Sequence, residues 1–154
     1  MGYCEEIREQ IGNSPLIVVR PSVAIINNNG EILLSRNAGG IWTIPGGILQ
    51  LNESVEECIT RIAFVDTGLK IKTLKLFGVY SGKDLINRIE GSGDEYHSVA
   101  IAYLSTEYDG ELTPKNDHAI EARFFNLNQL PEQIVPFIKN KLFESKGQLE
   151  NMKD

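Results

Sequence analysis

The stretch "PGGILQLNESVEECITRIAFVDTGL", residues 45–69, restricts the possible folds of this chain more than any other segment. Proline ends strand pairing, and the two glycines that follow let the backbone turn sharply and approach a charged group closely. Asn52 or Ser54 can cap a helix, whose apolar residues recur at helical spacing to about Thr67 before Gly68 stops it. With "IWTIP" ahead of it, the local order is strand, glycine turn, helix.

On such a helix, residues at i, i+3 and i+4 share one face, so carboxylates placed there converge on a single cation. A cation so held can bridge the oxygens of a diphosphate and lower the pKa of a bound water until it attacks. This chain places Ile62, Val65 and Asp66 at that spacing. The two aliphatics extend the stripe formed by Val55, Cys58, Ile59 and Leu69, so their side chains are expected in the core, each contributing roughly 1.5–3 kcal/mol if fully buried. One carboxylate remains, and magnesium often needs only one or two from protein, with water and substrate phosphates completing its octahedron.

The other elements follow from periodicity and turn chemistry. Residues 3–11 carry a short amphipathic helical pattern through Tyr3, Ile7 and Ile11, stopped by "GNSP". "SVAII" and "EILLSR" flank Asn29-Gly30, a strong hairpin signal. "LKLFGVYSG", "HSVAIAYLS" and "ARFFNL" read as further strands, and the polar "KDLINRIEGSGDEY" as a long loop over a site or out in solvent. "IVPFIKNKLFES" has helical periodicity with Pro136 in its first turn, and residues 145–154 read as a frayed tail. The pattern predicts an α+β fold, an α/β/α sandwich around a mixed sheet, with residues 1–154 in one domain.

Composition removes several function classes. A chain 42% hydrophobic and 23% charged is ordinary globular material rather than a disordered or fibrous one. A net charge of −6 without any cluster of lysine or arginine lacks the footprint for nucleic acid, so no nucleic-acid partner is expected. The polar, acidic start and the lack of a long apolar run predict a cytoplasmic protein with no membrane contact. Cys4 and Cys58, far apart and outside any C-x-x-C pair, read as reduced structural thiols.

The opening stretch resembles the signature of the Nudix superfamily, hydrolases of nucleoside diphosphates linked to another group. That signature reads G, five residues, E, seven residues, then R-E-U-x-E-E-x-G-U with U aliphatic. Gly47, Glu53, Arg61, Gly68 and Leu69 fall at its separations, and Ala63 takes the first U position. The resemblance extends through "EILLSR" before the box and "EARFFNLNQLP" after it. The chain departs from the pattern where R-E-U-x-E-E becomes Arg61-Ile62-Ala63-Phe64-Val65-Asp66.

The resemblance implies a site. Gly46, Glu53 and Asp66 would bind one Mg2+ or Mn2+, Gly47 and Arg36 would contact the substrate, and Arg61 would set the geometry of the box. Glu53 has two further readings open, pairing with Arg61 or favouring the helix dipole. With two helix carboxylates absent, a base must come from elsewhere, a loss that otherwise costs about 10²–10⁴ in rate. The candidates are His118, in "PKNDHAIEARFF", and Glu121, with Asp117 beside them. GDP-mannose mannosyl hydrolases, one Nudix branch, similarly lack two box glutamates, keep the last acid and use a loop histidine with attack at the sugar carbon. Arg36 resembles that branch's arginine on the leaving diphosphate, whereas His118 is one residue out of step and Ser22 stands where the branch has an acid.

Some residues have plainer readings. Glu57, four residues before Arg61, and Glu56 read as solvated acids, Glu57 pairing with Arg61 at i,i+4. His97 reads as a packing residue at a strand start, and Trp42, Tyr80, Tyr96 and Phe124 as core aromatics that a base could also stack on. The expectation is a metal-dependent Nudix hydrolase of a nucleotide-sugar or similar small molecule, of low or specialised activity, and the resemblance implies a homodimer as its common assembly. The alternative is a catalytically silent Nudix-fold module that binds a nucleotide or a partner protein.

Overall fold

A computed structural model describes residues 2–113 and 119–138. The element order is α1 (Tyr3–Ile11), β1 (Leu16–Ile25), β2 (Ile32–Arg36), β3 (Trp42–Thr43), α2 (Val55–Thr67), β4 (Lys70–Ile71), β5 (Lys75–Tyr80), β6 (Ile86–Arg88), β7 (Glu95–Ser105), β8 (Tyr108–Asp109) and β9 (Glu121–Phe125). This is the α+β arrangement with a mixed sheet that the sequence predicts. β1 and β7 pair in parallel from Leu16↔Tyr96 to Ile25↔Ser105, while β5 and β6 pair antiparallel to β7. β2 is central in a second, antiparallel sheet with β3 and β9, and β4 pairs with β8 in a short ribbon.

Two expectations change at this level. The Asn29-Gly30 turn does not join two strands of one ladder, because β1 has β7 along one edge and the 45–49 segment bonded along the other, and only the single bridge Ile26↔Ile32 links the end of β1 to β2. The polar segment after β5 is not a structureless loop. Lys83–Leu85 form a 3-10 turn, and Ile86–Arg88 extend the ladder on β7, closed by Ile89 N–H donating to Asp94 O at 2.8 Å. Of the helix expected from 134 onward, Ile134 bridges to Trp42 and Ile138 is buried, while residues 139–154, including the tail, lie outside the described residues.

Alternation along β1 and β2 divides the core. Val23, Ile25 and Leu33 face α2, where Ile59, Ala63 and Leu69 close over them; Ala24, Ile26, Ile32 and Leu34 face the other way, onto Trp42, Leu127, Ile134 and Ile138. The sheet surface therefore lies between α2 and the segment that follows β9. Among the described residues no helix is long and apolar enough to cross a membrane.

The start and stop of α2 are local chemistry. Ser54 Oγ accepts from Glu57 N–H while Glu57 Oε1 accepts from Ser54 N–H, both at 3.0 Å, a complete capping box. Gly68 ends the helix at φ 84°, and a Cβ there would stand 2.5 Å from Glu111 O, so both handedness and space require glycine.

Candidate functional site

A cavity of about 400 Å³ opens between the glycine turn, the ends of β2 and β3, and one face of α2. Its wall includes Gly46, Gly47, Ile62, Val65 and Asp66, joined by Ser35, Thr43 and Arg20. The turn that sequence reasoning singled out and the altered half of the helix therefore meet at one place.

The glycine turn is held against β1. Val23 N–H donates to Pro45 O at 3.0 Å and Gly47 N–H to Pro21 O at 3.1 Å, forming the bridge Ser22↔Gly46. A Cβ on Gly46 would lie 2.8 Å from both Pro21 O and Ser22 Cβ, so only glycine permits this approach. The Gly46 carbonyl is used in neither bond of the bridge, and Gly46 lines the cavity. A Cβ on Gly47 would meet Ile62 Cδ1 at 2.7 Å, which shows how closely the helix packs on the turn.

Glu53 is committed to the scaffold. Arg61 grips it with two bonds, Nη2 to Oε1 at 2.8 Å and Nε to Oε2 at 3.2 Å, and Gln50 N–H adds a third at 2.9 Å. The Arg61 hydrogen bonds, helped by the Gln50 amide, hold the Glu53 carboxyl below its ordinary pKa despite some desolvation. Cys58 packs behind the pair, and burial, with Glu53 next to it, pushes its thiol up to about 11. It is a structural thiol, as expected, and Cys4 is likewise free and buried.

Two readings of α2 are corrected. Ile62 and Val65 do not join the core: Cys58, Ile59, Ala63 and Thr67 are the buried positions, while Ile62 is half-buried, Val65 is 37% exposed, and both face the cavity. Glu57 does not pair with Arg61, because capping Ser54 takes its carboxylate and Glu53 takes the guanidinium. Glu56 is exposed, as expected, and accepts from Tyr103 O–H at 2.9 Å. Asp66 is half-buried and lines the cavity.

Arg36 and Glu121 are brought together, but away from the cavity wall. They are register partners on β2 and β9, with Arg36 Nε 3.0 Å from Glu121 Oε1. Ser35 and Asn37 line the cavity and Arg36 between them does not, since strand alternation turns its guanidinium toward Glu121 and Trp42. Arg123 stacks over Trp42 and Phe125 and lies 3.7 Å from the other oxygen of Glu121. Asp117 and His118 lie outside the described residues. His97 pairs with Glu95 at 2.7 Å on β7, Trp42 is buried in the core, and neither they nor Tyr80, Tyr96 and Phe124 line the cavity.

The site also contains residues that sequence reasoning passed over, namely Arg20, Ser35, Asn37 and Thr43. Arg20 had a visible signal, a lone cation inside the apolar run "LIVVRPSVAII"; the others had none. Among the described residues no group of three or more His, Cys, Asp or Glu side chains is placed to cage a metal. The donor set of one carboxylate, Asp66, with the Gly46 carbonyl suits a hard cation that keeps most of its ligands as water and substrate oxygens.

Residues 18–145 match the NUDIX domain. The chain belongs to the Nudix family. An ADP-ribose pyrophosphatase of Methanocaldococcus jannaschii is 35% identical over 123 residues, covering 75% of this chain and 68% of the relative. A NAD-capped RNA hydrolase NudC of Actinobacillus succinogenes is 30% identical, covering 75% of this chain; the chain spans only 43% of that relative's length. Among solved structures, a MutT Nudix hydrolase from Burkholderia pseudomallei superposes with TM-score 0.67 at 24% identity, covering 89% of this chain and 98% of the other, a likeness of fold. The class is that of a Nudix-type hydrolase, and Nudix hydrolases in general use divalent metal ions.

Proposed function

We propose that this Nudix chain is a pyrophosphohydrolase acting on a small nucleoside diphosphate linked to a sugar or similar group, with one Mg2+ or Mn2+. The observation that supports this reading is a cavity with its glycine turn intact, whose lining among the described residues has a single carboxylate, Asp66, together with Arg20 and Arg61. Asp66 and the Gly46 carbonyl would hold the ion, whose chemistry when bound is to offset phosphate charge and acidify a water. Gly46 and Gly47 let the diphosphate come close to the backbone, and the Glu53–Arg61 pair keeps the turn in register with the helix. Ser35, Asn37 and Thr43 supply neutral donors for the rest of the ligand. The similarity to an ADP-ribose pyrophosphatase makes ADP-ribose the first substrate to try.

The proton of the attacking water needs an acceptor other than Asp66. Glu121, tied to Arg36, is poorly placed for that role, which leaves a group such as His118. The test is product release from ADP-ribose, nucleoside diphosphate sugars and nucleoside triphosphates, with Mg2+ or EDTA, for the wild type and Asp66→Asn. Hydrolysis that needs both metal and Asp66 supports the reading, and the product identifies whether phosphorus or carbon is attacked. Loss of several kcal/mol of stabilisation in Asp66→Asn would lower the rate about 10²-fold or more. No hydrolysis anywhere in the panel would sink it. A silent nucleotide-binding module would then be the better reading, favoured by Ile62 and Val65 on the cavity wall.

A further inference from the structure

Among the described residues three charged side chains line the cavity, and two of them have assignments. Arg61 spends its guanidinium on Glu53, and Asp66 is the acid proposed for the metal. The third, Arg20, comes from β1, register partner of Ala100, immediately before Pro21, whose carbonyl anchors Gly47. Among the described residues no carboxylate forms an ion pair with it. Its electrostatic neighbour is the thiol of Cys4 on α1, which burial keeps protonated by raising its pKa, so it brings no compensating charge. The Arg20 side chain is exposed, so a ligand can reach it, and arginine stays protonated under all ordinary conditions. A cation with this environment stands beside the turn that brings the backbone near a diphosphate.

The altered box sharpens the point. Two aliphatics occupy positions where the family pattern has carboxylates, so the cavity lacks two negative charges that would repel a phosphate or need a metal to offset them. Ile62 and Val65 also place apolar surface beside the charge, which strengthens any hydrogen bond formed there. A guanidinium fork matches two phosphate oxygens at once.

We propose that Arg20 binds the diphosphate directly, so that binding, unlike hydrolysis, persists without a divalent cation. This rests on the reading of the cavity as a diphosphate site. The experiment is calorimetric titration of the full chain with ADP-ribose and with inorganic pyrophosphate, each in EDTA and in Mg2+, for the wild type, Arg20→Gln and Arg20→Lys. The wild type is expected to bind in EDTA, with Arg20→Gln weaker by roughly 10–100-fold, the range for a lost hydrogen bond to a charged group, and Arg20→Lys between them. Thermal melting should be unchanged in both variants, since no described partner is lost. Equal affinity of wild type and Arg20→Gln, or wild-type binding only with Mg2+, would overturn the proposal and leave the diphosphate reading intact. Failure of the wild type to bind either ligand in either condition would overturn both.

Discussion

The two halves of the α2 site have been treated differently. From Gly47 to Arg61 the polar residues of the Nudix pattern, Glu53 and Arg61, are present and paired: Glu53 takes three donors, the turn is bridged to β1, and Ser54 and Glu57 beside them cap each other. From the next residue on, at Ile62 and Val65, the same helix shows aliphatic side chains to the same cavity and has only Asp66 as an acid. On the proposed reading, the first half would set where the ligand sits, through bonds that close within the protein. The second half would set what a bound cation experiences. Their independence explains how a helix can exchange two carboxylates for aliphatics while the turn before it keeps its shape.

The comparison breaks most visibly if the second half is restored. Ile62→Glu with Val65→Glu puts carboxylates back on a wall whose residues already face the cavity, so Mn2+ affinity should rise at least ~10-fold, read by EPR titration of free Mn2+. Unchanged affinity would mean that these side chains do not reach the ion. Should the chain have activity of its own through a thin one-metal site, the double variant should disturb it, and hydrolysis of ADP-ribose measured alongside would show that.

Glu53→Gln attacks the first half. It removes the acceptor of a two-pronged bond, and because Arg61 is nearly half exposed the loss should be modest, about 1–2 kcal/mol in urea unfolding. The pH dependence has a definite sign. The Glu53 carboxyl is held below its unfolded pKa, so its contribution is complete above the unfolded value and fades as pH falls through the lowered folded value. Wild-type stability should therefore decline across that acid window more steeply than that of Glu53→Gln. Parallel curves would show that the pair adds nothing.

The sequence made local features legible and left non-local ones hidden. The limits of α2 could be read because Ser54, Glu57 and Gly68 act on their immediate neighbours, although the i,i+4 spacing of Glu57 and Arg61 drew attention from the capping box three residues apart. Asn29-Gly30 signalled its turn correctly, but which strand pairs with β1 is decided some 80 residues downstream at β7, beyond any local pattern. Family spacing identified Gly46, Gly47, Arg61 and Asp66, all on one cavity. It carried Arg36 and Glu121 toward the same place, whereas their position next to each other depends on strand parity and on the register of β2 with β9. Arg20 belongs to no local motif, and only the bridge of β1 to the glycine turn brings it to the site.

The smallest expected effect separates the two halves most cleanly. Ser54→Ala deletes the cap that Glu57 completes, and a lost N-cap costs about 1 kcal/mol, or a few degrees in Tm for a chain of this size. The cap satisfies backbone donors in the first turn and touches no residue of the cavity wall. The lower Tm should therefore appear without any change in Mn2+ affinity or in KM for ADP-ribose. A shift in either would show that fraying at Ser54 is transmitted along about two turns of helix to Ile62 and three to Asp66. The ligand-positioning and metal-facing halves would then be one cooperative unit, and the exchange of carboxylates for aliphatics at Ile62 and Val65 could not have left the turn undisturbed.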